Sequence, residues 1–194
     1  MSAPIIRELS SHVRFLNADD RTLEKLQSEG WSSFAVVPIQ RLREIFIEAA
    51  NEVFAETECA LARDEAVGSE TVLSTDKYRP LVERALAAAG AFFLIYVGLR
   101  DARISEERVA LRVARGGHDV PSDRLEARWK RSVENLGWYA RRAKGFFVFD
   151  NSASIPGEPP RLIAEGGAGL LTIHDSGAIP QITASLTAAF FTEP

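Results

Sequence analysis

The feature that most limits the fold of this chain is an uninterrupted apolar run at residues 92–99, Phe-Phe-Leu-Ile-Tyr-Val-Gly-Leu. A strand of this length without a polar position is typical of a parallel sheet covered on both faces. A helix that crosses a bilayer needs about 20 apolar residues, so this run is too short to span one. We therefore predict a buried core strand here and no membrane partner.

Helical and strand patterns alternate on both sides of this run. The predicted strands cover residues 13–17, 69–74, 92–99, 146–150 and 161–164. The predicted helices cover residues 20–29, 39–62, 76–89, 105–115 and 122–143, and residues 180–191 fit either a helix or a strand. This alternation predicts an α/β fold with a mostly parallel sheet and helices on both faces. The length of 194 residues predicts a single domain over residues 1–194.

Composition narrows the class of protein. The lone Cys59 cannot form an intrachain disulfide, and the first residues lack the apolar run of a signal peptide, which together predict a cytoplasmic location. The net charge is −4, with acidic residues concentrated at 44–70 and arginines at 100–144. A net-acidic chain is a poor candidate for nucleic-acid binding, so we predict no nucleic-acid partner. An arginine-dense segment favours a compact anion such as a small phosphate-bearing ligand.

The arginines of this segment repeat with helical spacing, which places each set on one helix face. The two stripes are Arg108, Arg112 and Arg115, then Arg124, Arg128 and Arg131. A glycine-hinged turn at residues 116–121 separates them and predicts a helical hairpin. Two interpretations stay open: the stripes clamp the oxygens of a phosphoryl group, or they form a solvated surface paired with neighbouring glutamates.

Three further residues have both a functional and a structural interpretation. Asp19 follows a predicted strand, so it is either a general base toward a substrate hydroxyl or a helix N-cap, a role that Asp20 fills equally well. Glu70 faces either solvent or a pocket. His118 either reaches a ligand from the hairpin turn or is simply exposed. The histidines and Cys59 share no metal-ligand spacing, so we predict no metal site made by them.

Several runs, taken together, resemble the zeta toxin-like P-loop kinases. They occur in the order of that family and cover most of residues 13–165. They are Phe15-Leu-Asn-Ala-Asp19, Ser69-Glu-Thr-Val-Leu-Ser-Thr75 with Lys77-Tyr78, Tyr96-Val-Gly-Leu99, Arg108-Val-Ala-Leu-Arg112-Val-Ala-Arg-Gly-Gly-His118-Asp-Val-Pro121, Arg128-Trp-Lys-Arg-Ser132 and Phe149-Asp-Asn-Ser152.

The resemblance implies a P-loop kinase-like core with a helical-hairpin lid over about residues 104–143. It implies ATP and Mg²⁺ as cofactors, phosphorylation of a hydroxyl of a small substrate such as a nucleotide sugar, and an antitoxin-like protein partner. The positions that it implies are Asp19, Arg108 and Arg112 for catalysis, Glu70, Thr71 and His118 for substrate, and Arg128, Arg131 and Asn151 for nucleotide.

The chain departs from the family at one motif. The family carries a strand and a Gly-x-x-x-x-Gly-Lys-[Ser/Thr] loop before the Asn-Ala-Asp run, whereas residues 1–12 contain neither glycine nor lysine. The phosphate cradle, its lysine and the hydroxyl ligand of Mg²⁺ are therefore missing. We expect little ATP-dependent transfer by this chain and exposed apolar strand surface. The alternative function is a non-catalytic remnant of the kinase fold that binds a nucleotide or a partner.

Overall fold

The structure, a computed structural model, describes residues 13–114, 122–153 and 158–191. Their contacts group them into two compact units. Unit 1 contains residues 13–71 and 112–114, and unit 2 contains residues 72–111, 122–153 and 158–191. The single domain over residues 1–194 stays a prediction.

Unit 1 is built on two helices and a short parallel strand pair. Its elements are β1 (Arg14–Leu16), α1 (Ala18–Ser28), a 3₁₀ turn (Phe34–Val36), α2 (Ile39–Ala62) and β2 (Val67–Ser69). Strand β1 pairs with β2 in parallel. Helix α2 matches the predicted helix at 39–62, because Leu42, Ile45, Ala49 and Val53 recur at helical spacing and are buried.

The predicted strand at 69–74 is wrong for most of its length. The last hydrogen bond along β2 runs from Glu70 N to Leu16 O at 3.1 Å. Leu73 then has φ +60°, a left-handed conformation that an extended strand does not contain. The chain therefore turns away after Ser69 instead of continuing as a strand.

Unit 2 contains a four-stranded sheet and most of the helices. Its elements are α3 (Arg79–Ala87), β3 (Phe93–Gly98), α4 (Ala102–Ala114), α5 (Ser122–Arg142), β4 (Gly145–Asp150), β5 (Arg161–Gly167), β6 (Leu170–Ile173) and α6 (Pro180–Phe191). The last three residues of α4, 112–114, group with unit 1. The strand order is β3-β4-β5-β6, with β3–β4 parallel and the other two pairings antiparallel. The α/β class is confirmed. The mostly parallel single sheet is wrong for the described residues, since the four main predicted strands form two parallel pairs in separate sheets.

The antiparallel β5–β6 pairing follows from a tight hairpin that the sequence interpretation missed. Gly167 pairs with Leu170, and the two residues between them, Ala168 and Gly169, have φ of +50° and +86°. Positive φ at both central positions is the signature of a type I′ turn, which joins adjacent antiparallel strands. Strand β6 must therefore return alongside β5.

The core of unit 2 lies where helices α5 and α6 pack together and against the sheet. Leu136, Phe146, Ile182 and Leu186 are fully buried there. A Cβ atom at Gly137 would lie 2.8 Å from the Ser185 carbonyl oxygen, so the glycine permits close approach of the two helices. The ambiguous segment at 180–191 is a helix, and its Ile182 and Leu186 are buried in this core.

Strand β3 lies at the edge of its sheet and is not covered on both faces. Tyr96 and Gly98 are buried, but Phe93, Ile95 and Val97 are 49%, 41% and 52% exposed. The prediction of a strand buried on both faces is therefore wrong. Apolar strand surface is exposed here.

Helices α4 and α5 confirm the helices predicted at 105–115 and 122–143, whereas the turn predicted at 116–121 lies outside the described residues and the hairpin stays a prediction. None of the helices in the described ranges has the length and apolar character needed to cross a membrane.

Candidate functional site

The segments that follow β3 and β4 lie next to each other, because the two strands are parallel and end at the same side of the sheet. Gly98 and Asp150, the last residues of the two strands, pair with each other. Asn151 N then donates to Gly98 O at 2.9 Å, so the segments after the strands begin side by side. Ligands of open α/β sheets bind outside the carboxyl ends of such strands. We define residues 99–101 and 150–153, with the side chains that contact them, as the carboxyl-edge site.

Asp150 is the buried acid of the carboxyl-edge site, with 7% of its surface exposed. Its Oδ1 accepts hydrogen bonds from Ser152 N at 2.9 Å and from the Ser152 hydroxyl. Its Oδ2 lies 3.7 Å from Arg161 Nη2 and 4.0 Å from Arg100 Nη2. A carboxylate this buried needs such partners, because burial without them costs several kcal/mol. Asp150 thus anchors the loop after β4 and holds two guanidinium groups near it.

Both guanidinium groups are fixed on one side and open to solvent on the other. Arg161 Nη1 lies 2.6 Å from Asp175 Oδ2, and this hydrogen bond holds the pKa of the Asp175 carboxyl below its ordinary value. Arg100 Nε donates to Ala178 O at 3.1 Å. The Arg161 side chain is 56% exposed and the Arg100 side chain is 61% exposed. Oriented, solvent-facing guanidinium groups suit an anion such as a phosphate.

Arg108 on α4 reaches the same edge. Its Nη2 donates to Asn151 O at 2.6 Å and lies 3.5 Å from Ala153 O. The structure therefore brings together two predicted site residues, Arg108 and Asn151, although through the backbone of Asn151. Since both acceptors are neutral carbonyls, the positive charge of Arg108 is not cancelled by them. Its role as a phosphate clamp stays a prediction.

Side chains of helix α5 donate hydrogen bonds to backbone carbonyls that lie outside the helix. Trp129 Nε1 donates to Leu99 O at 2.8 Å, within the carboxyl-edge site. Arg131 Nε donates to Ser74 O at 3.0 Å, and Asn135 Nδ2 donates to Leu73 O at 2.8 Å. Arg128, the other predicted nucleotide-binding arginine of this helix, is exposed.

The predicted residues of unit 1 group around Asn17. Asn17 Oδ1 accepts from Asp19 N at 2.7 Å, so Asn17 is the N-cap of α1 and the cap interpretation of Asp19 and Asp20 is wrong. Both aspartates lie in the first helical turn, where the helix dipole favours negative charge. Asn17 Nδ2 also donates to Glu70 Oε2 at 2.8 Å, and Thr71 next to it is exposed. The general-base role of Asp19 stays a prediction.

Two predicted residues remain. Arg112 lies near the end of α4, is exposed and groups with unit 1. His118 lies outside the described residues. The convergence of Arg108, Arg112 and Asp19 in one cleft stays a prediction.

Sequence reasoning missed Arg161, Asp175 and Asn135. Arg161 reaches Asp150 because the two residues pair across the antiparallel β4–β5 ladder, and that register had no signal in the sequence. Asn135 gave a weak signal, since an amide at a buried position of a helix needs hydrogen-bond partners.

Within the described residues, no three histidine, cysteine, aspartate or glutamate side chains approach one another as ligands of a metal ion would. Mg²⁺ at nucleotide sites uses only one or two protein oxygens together with phosphates and water. The carboxylate at the edge, Asp150, is already bound by Ser152 and arginines. This donor set does not fit a protein-held Mg²⁺, and the cofactor stays a prediction.

Comparisons with protein-family models, with curated proteins and with solved structures give no significant match. The resemblance to zeta toxin-like kinases therefore depends on the quoted residues alone.

Proposed function

We propose that this chain is a phosphotransferase-type domain of the zeta toxin-like class that binds a phosphate-bearing small molecule, such as ATP or a nucleotide sugar, at the carboxyl-edge site. The observation that carries the proposal is the presence of Arg100, Arg108 and Arg161 around the carboxyl ends of β3 and β4. Arginine suits this task because its planar fork of donors matches phosphate oxygens.

The rest of the proposal assigns roles to residues that carry the resemblance. Asp19 accepts the proton of the substrate hydroxyl, and Glu70 and Thr71 contact the substrate. Arg112 stabilises the transferring phosphoryl group beside Arg108, while Arg128, Arg131 and Asn151 contact the nucleotide.

Binding without transfer is the second candidate function, and one sequence observation favours it. No Gly-x-x-x-x-Gly-Lys-[Ser/Thr] run occurs in the 194 residues. Phosphoryl transfer depends on positioning and charge neutralisation, which that loop largely supplies. Loss of one well-placed electrostatic group costs about 10²–10³ in rate, and here several are missing together.

A titration of the chain with ATP tests the binding part. We expect Arg108→Ala to weaken ATP affinity about 10-fold or more, since hydrogen bonds to charged groups contribute about 1.5–3 kcal/mol. Arg63→Ala is the matched control, because Arg63 is an exposed arginine of unit 1 paired with Glu65. No detectable affinity in the unmodified chain, or equal affinity of both variants, would contradict the proposal.

A phosphotransfer assay with ATP and magnesium separates the two candidate functions. Binding without magnesium-dependent turnover supports the non-catalytic reading. Turnover that both Asp19→Asn and Arg112→Ala abolish supports the kinase and overturns the alternative.

A further inference from the structure

The turn at Leu73 is held in an unusual conformation inside unit 2. Leu73 is a bulky residue with φ +60°, and it is 6% exposed in the core beside Tyr96 and Val82. A left-handed leucine persists only where its surroundings enforce the conformation, and such positions concentrate at functional sites. The contacts around Leu73 therefore need an explanation.

A chain of hydrogen bonds enforces this turn. Arg79 Nη2 donates to Asn135 Oδ1 at 2.7 Å, and Asn135 Nδ2 donates to Leu73 O at 2.8 Å. Both ends of the Asn135 amide are thus fixed, and the residue is only 9% exposed. Arg79 is held in turn against the Trp138 ring, with its Cζ 4.9 Å from the ring centroid.

The residue after the turn orients an arginine at the surface. Ser74 O accepts a hydrogen bond from Arg131 Nε at 3.0 Å, and Arg131 is exposed. This bond engages only one of the five N–H groups of the guanidinium, and it fixes the plane in which the four N–H groups on the Nη atoms lie. The direction of that fork therefore depends on where the Leu73 turn places the Ser74 carbonyl.

We propose that Asn135 is a positioning residue: by holding the Leu73 turn, it sets the Ser74 carbonyl that aims the Arg131 guanidinium at the phosphate of the bound ligand. Asn135 is buried, so it acts through Arg131 and does not touch the ligand. This inference rests on the proposed function, because it assumes that Arg131 contacts the phosphate.

A double-mutant cycle with ATP in the absence of magnesium tests the proposal. The variants are Asn135→Leu, which removes both hydrogen bonds at nearly constant volume, Arg131→Ala and the combination of the two. We expect Asn135→Leu to weaken ATP affinity about 10-fold when Arg131 is present and to have no further effect when Arg131 is replaced. General loosening of unit 2 would reduce affinity in both backgrounds, so non-additivity distinguishes positioning from a purely structural role.

Should Asn135→Leu fail to fold, Arg79→Met gives a second cycle with Arg131→Ala, because it removes the hydrogen bond to the Asn135 amide together with the ion pair to Asp76 and leaves Asn135 itself in place. We expect a smaller loss of affinity that again disappears without Arg131. If the losses of ATP affinity are additive in the cycle whose variants fold, the positioning role is overturned and the proposed function is left intact. Absence of ATP binding by the unmodified chain would overturn both.

Discussion

Two segments of opposite charge, one in each unit, use their charges in different ways. In unit 1 the acidic face of α2 meets cations from α1 and the start of α2. Arg21 Nη2 lies 2.8 Å from Glu56 Oε2, and Lys25 Nζ lies 2.6 Å from Glu52 Oε1. Arg41 adds pairs with Glu29, Glu44 and Glu48. The acid-rich segment at 44–70 is largely neutralised by its own unit.

In unit 2 several arginines of residues 100–111 and 122–144 contact backbone carbonyls. Arg100, Arg108 and Arg131 each donate to a carbonyl oxygen. A neutral carbonyl holds a guanidinium in place without compensating its charge, and Arg100 in addition lies 4.0 Å from Asp150 Oδ2. These arginines of unit 2 are oriented by backbone contacts, whereas unit 1 uses its charges to join two helices. Composition alone does not distinguish these two uses.

The comparison predicts that the stability of unit 2 depends more on its apolar core than on its charged side chains. Phe146→Ala removes a fully buried ring between the sheet and α6, and we expect a loss of about 3–5 kcal/mol in the free energy of unfolding. Chemical denaturation measures the change. Leu170→Ala is the control, because Leu170 is 74% exposed and its replacement should change stability by less than about 0.5 kcal/mol. Similar losses for both variants would contradict this assignment of the core.

Acid should weaken unit 1 before unit 2. The hydrogen bonds from Arg41 and Trp31 lower the pKa of the Glu29 carboxyl to about 2, and Arg41 and Lys25 hold the pKa of Glu48 below its ordinary value. A carboxylate whose pKa is lowered by folding contributes stability above its unfolded pKa, and that contribution is lost as the pH falls from about 4.5 toward about 2.

Hydrogen exchange measured across this pH range checks the acid prediction. We expect α1 and α2 to lose protection while β4 retains it, after correction for the intrinsic pH dependence of exchange. Replacement of Arg41 by glutamine should shrink the difference, since it removes the partner of Glu29. Equal loss of protection in both units would show that the ion pairs are not decisive.

The smallest effect is expected from salt. Raising ionic strength from about 0.1 M to about 1 M shortens the screening length from roughly 10 Å to 3 Å, which weakens exposed ion pairs. Protection of α1 and α2 should fall modestly while that of β4 stays constant. ATP affinity should fall in the same experiment, because the anion approaches exposed guanidinium groups. Salt-independent affinity would argue against a phosphate contact.

Elements with a long, regular pattern could be predicted from the sequence. Helix α2 and strands β3 and β4 lie where the periodicity and the apolar runs placed them. The division into two sheets could not be predicted, because strand pairing depends on contacts distant in the chain. The β5–β6 hairpin depends on two residues with positive φ, and only the glycine-rich run 166–169 indicated it.

The site was predictable in its residue types but not in its contacts. The resemblance named Arg108 and Asn151, which the structure brings into contact. It gave no reason to expect that Arg108 binds a carbonyl or that Arg161 crosses from β5 to Asp150. Backbone acceptors carry no signal in a sequence, so anchoring arginines cannot be told from ligand-binding ones by spacing alone.

The edge strand β3 has a consequence for how the protein behaves at high concentration. Six consecutive uncharged residues, three of them with exposed apolar side chains, lie along a strand that has one neighbour in the described residues. Such an edge is a template for pairing with strands of other molecules and lacks the lysine or proline with which many proteins block it. A charge introduced by Ile95→Lys should suppress aggregation on heating while leaving the partly buried Leu94 and the buried Tyr96 in place. We therefore expect pairing between β3 strands of different molecules to set the solubility of this chain in concentrated solution.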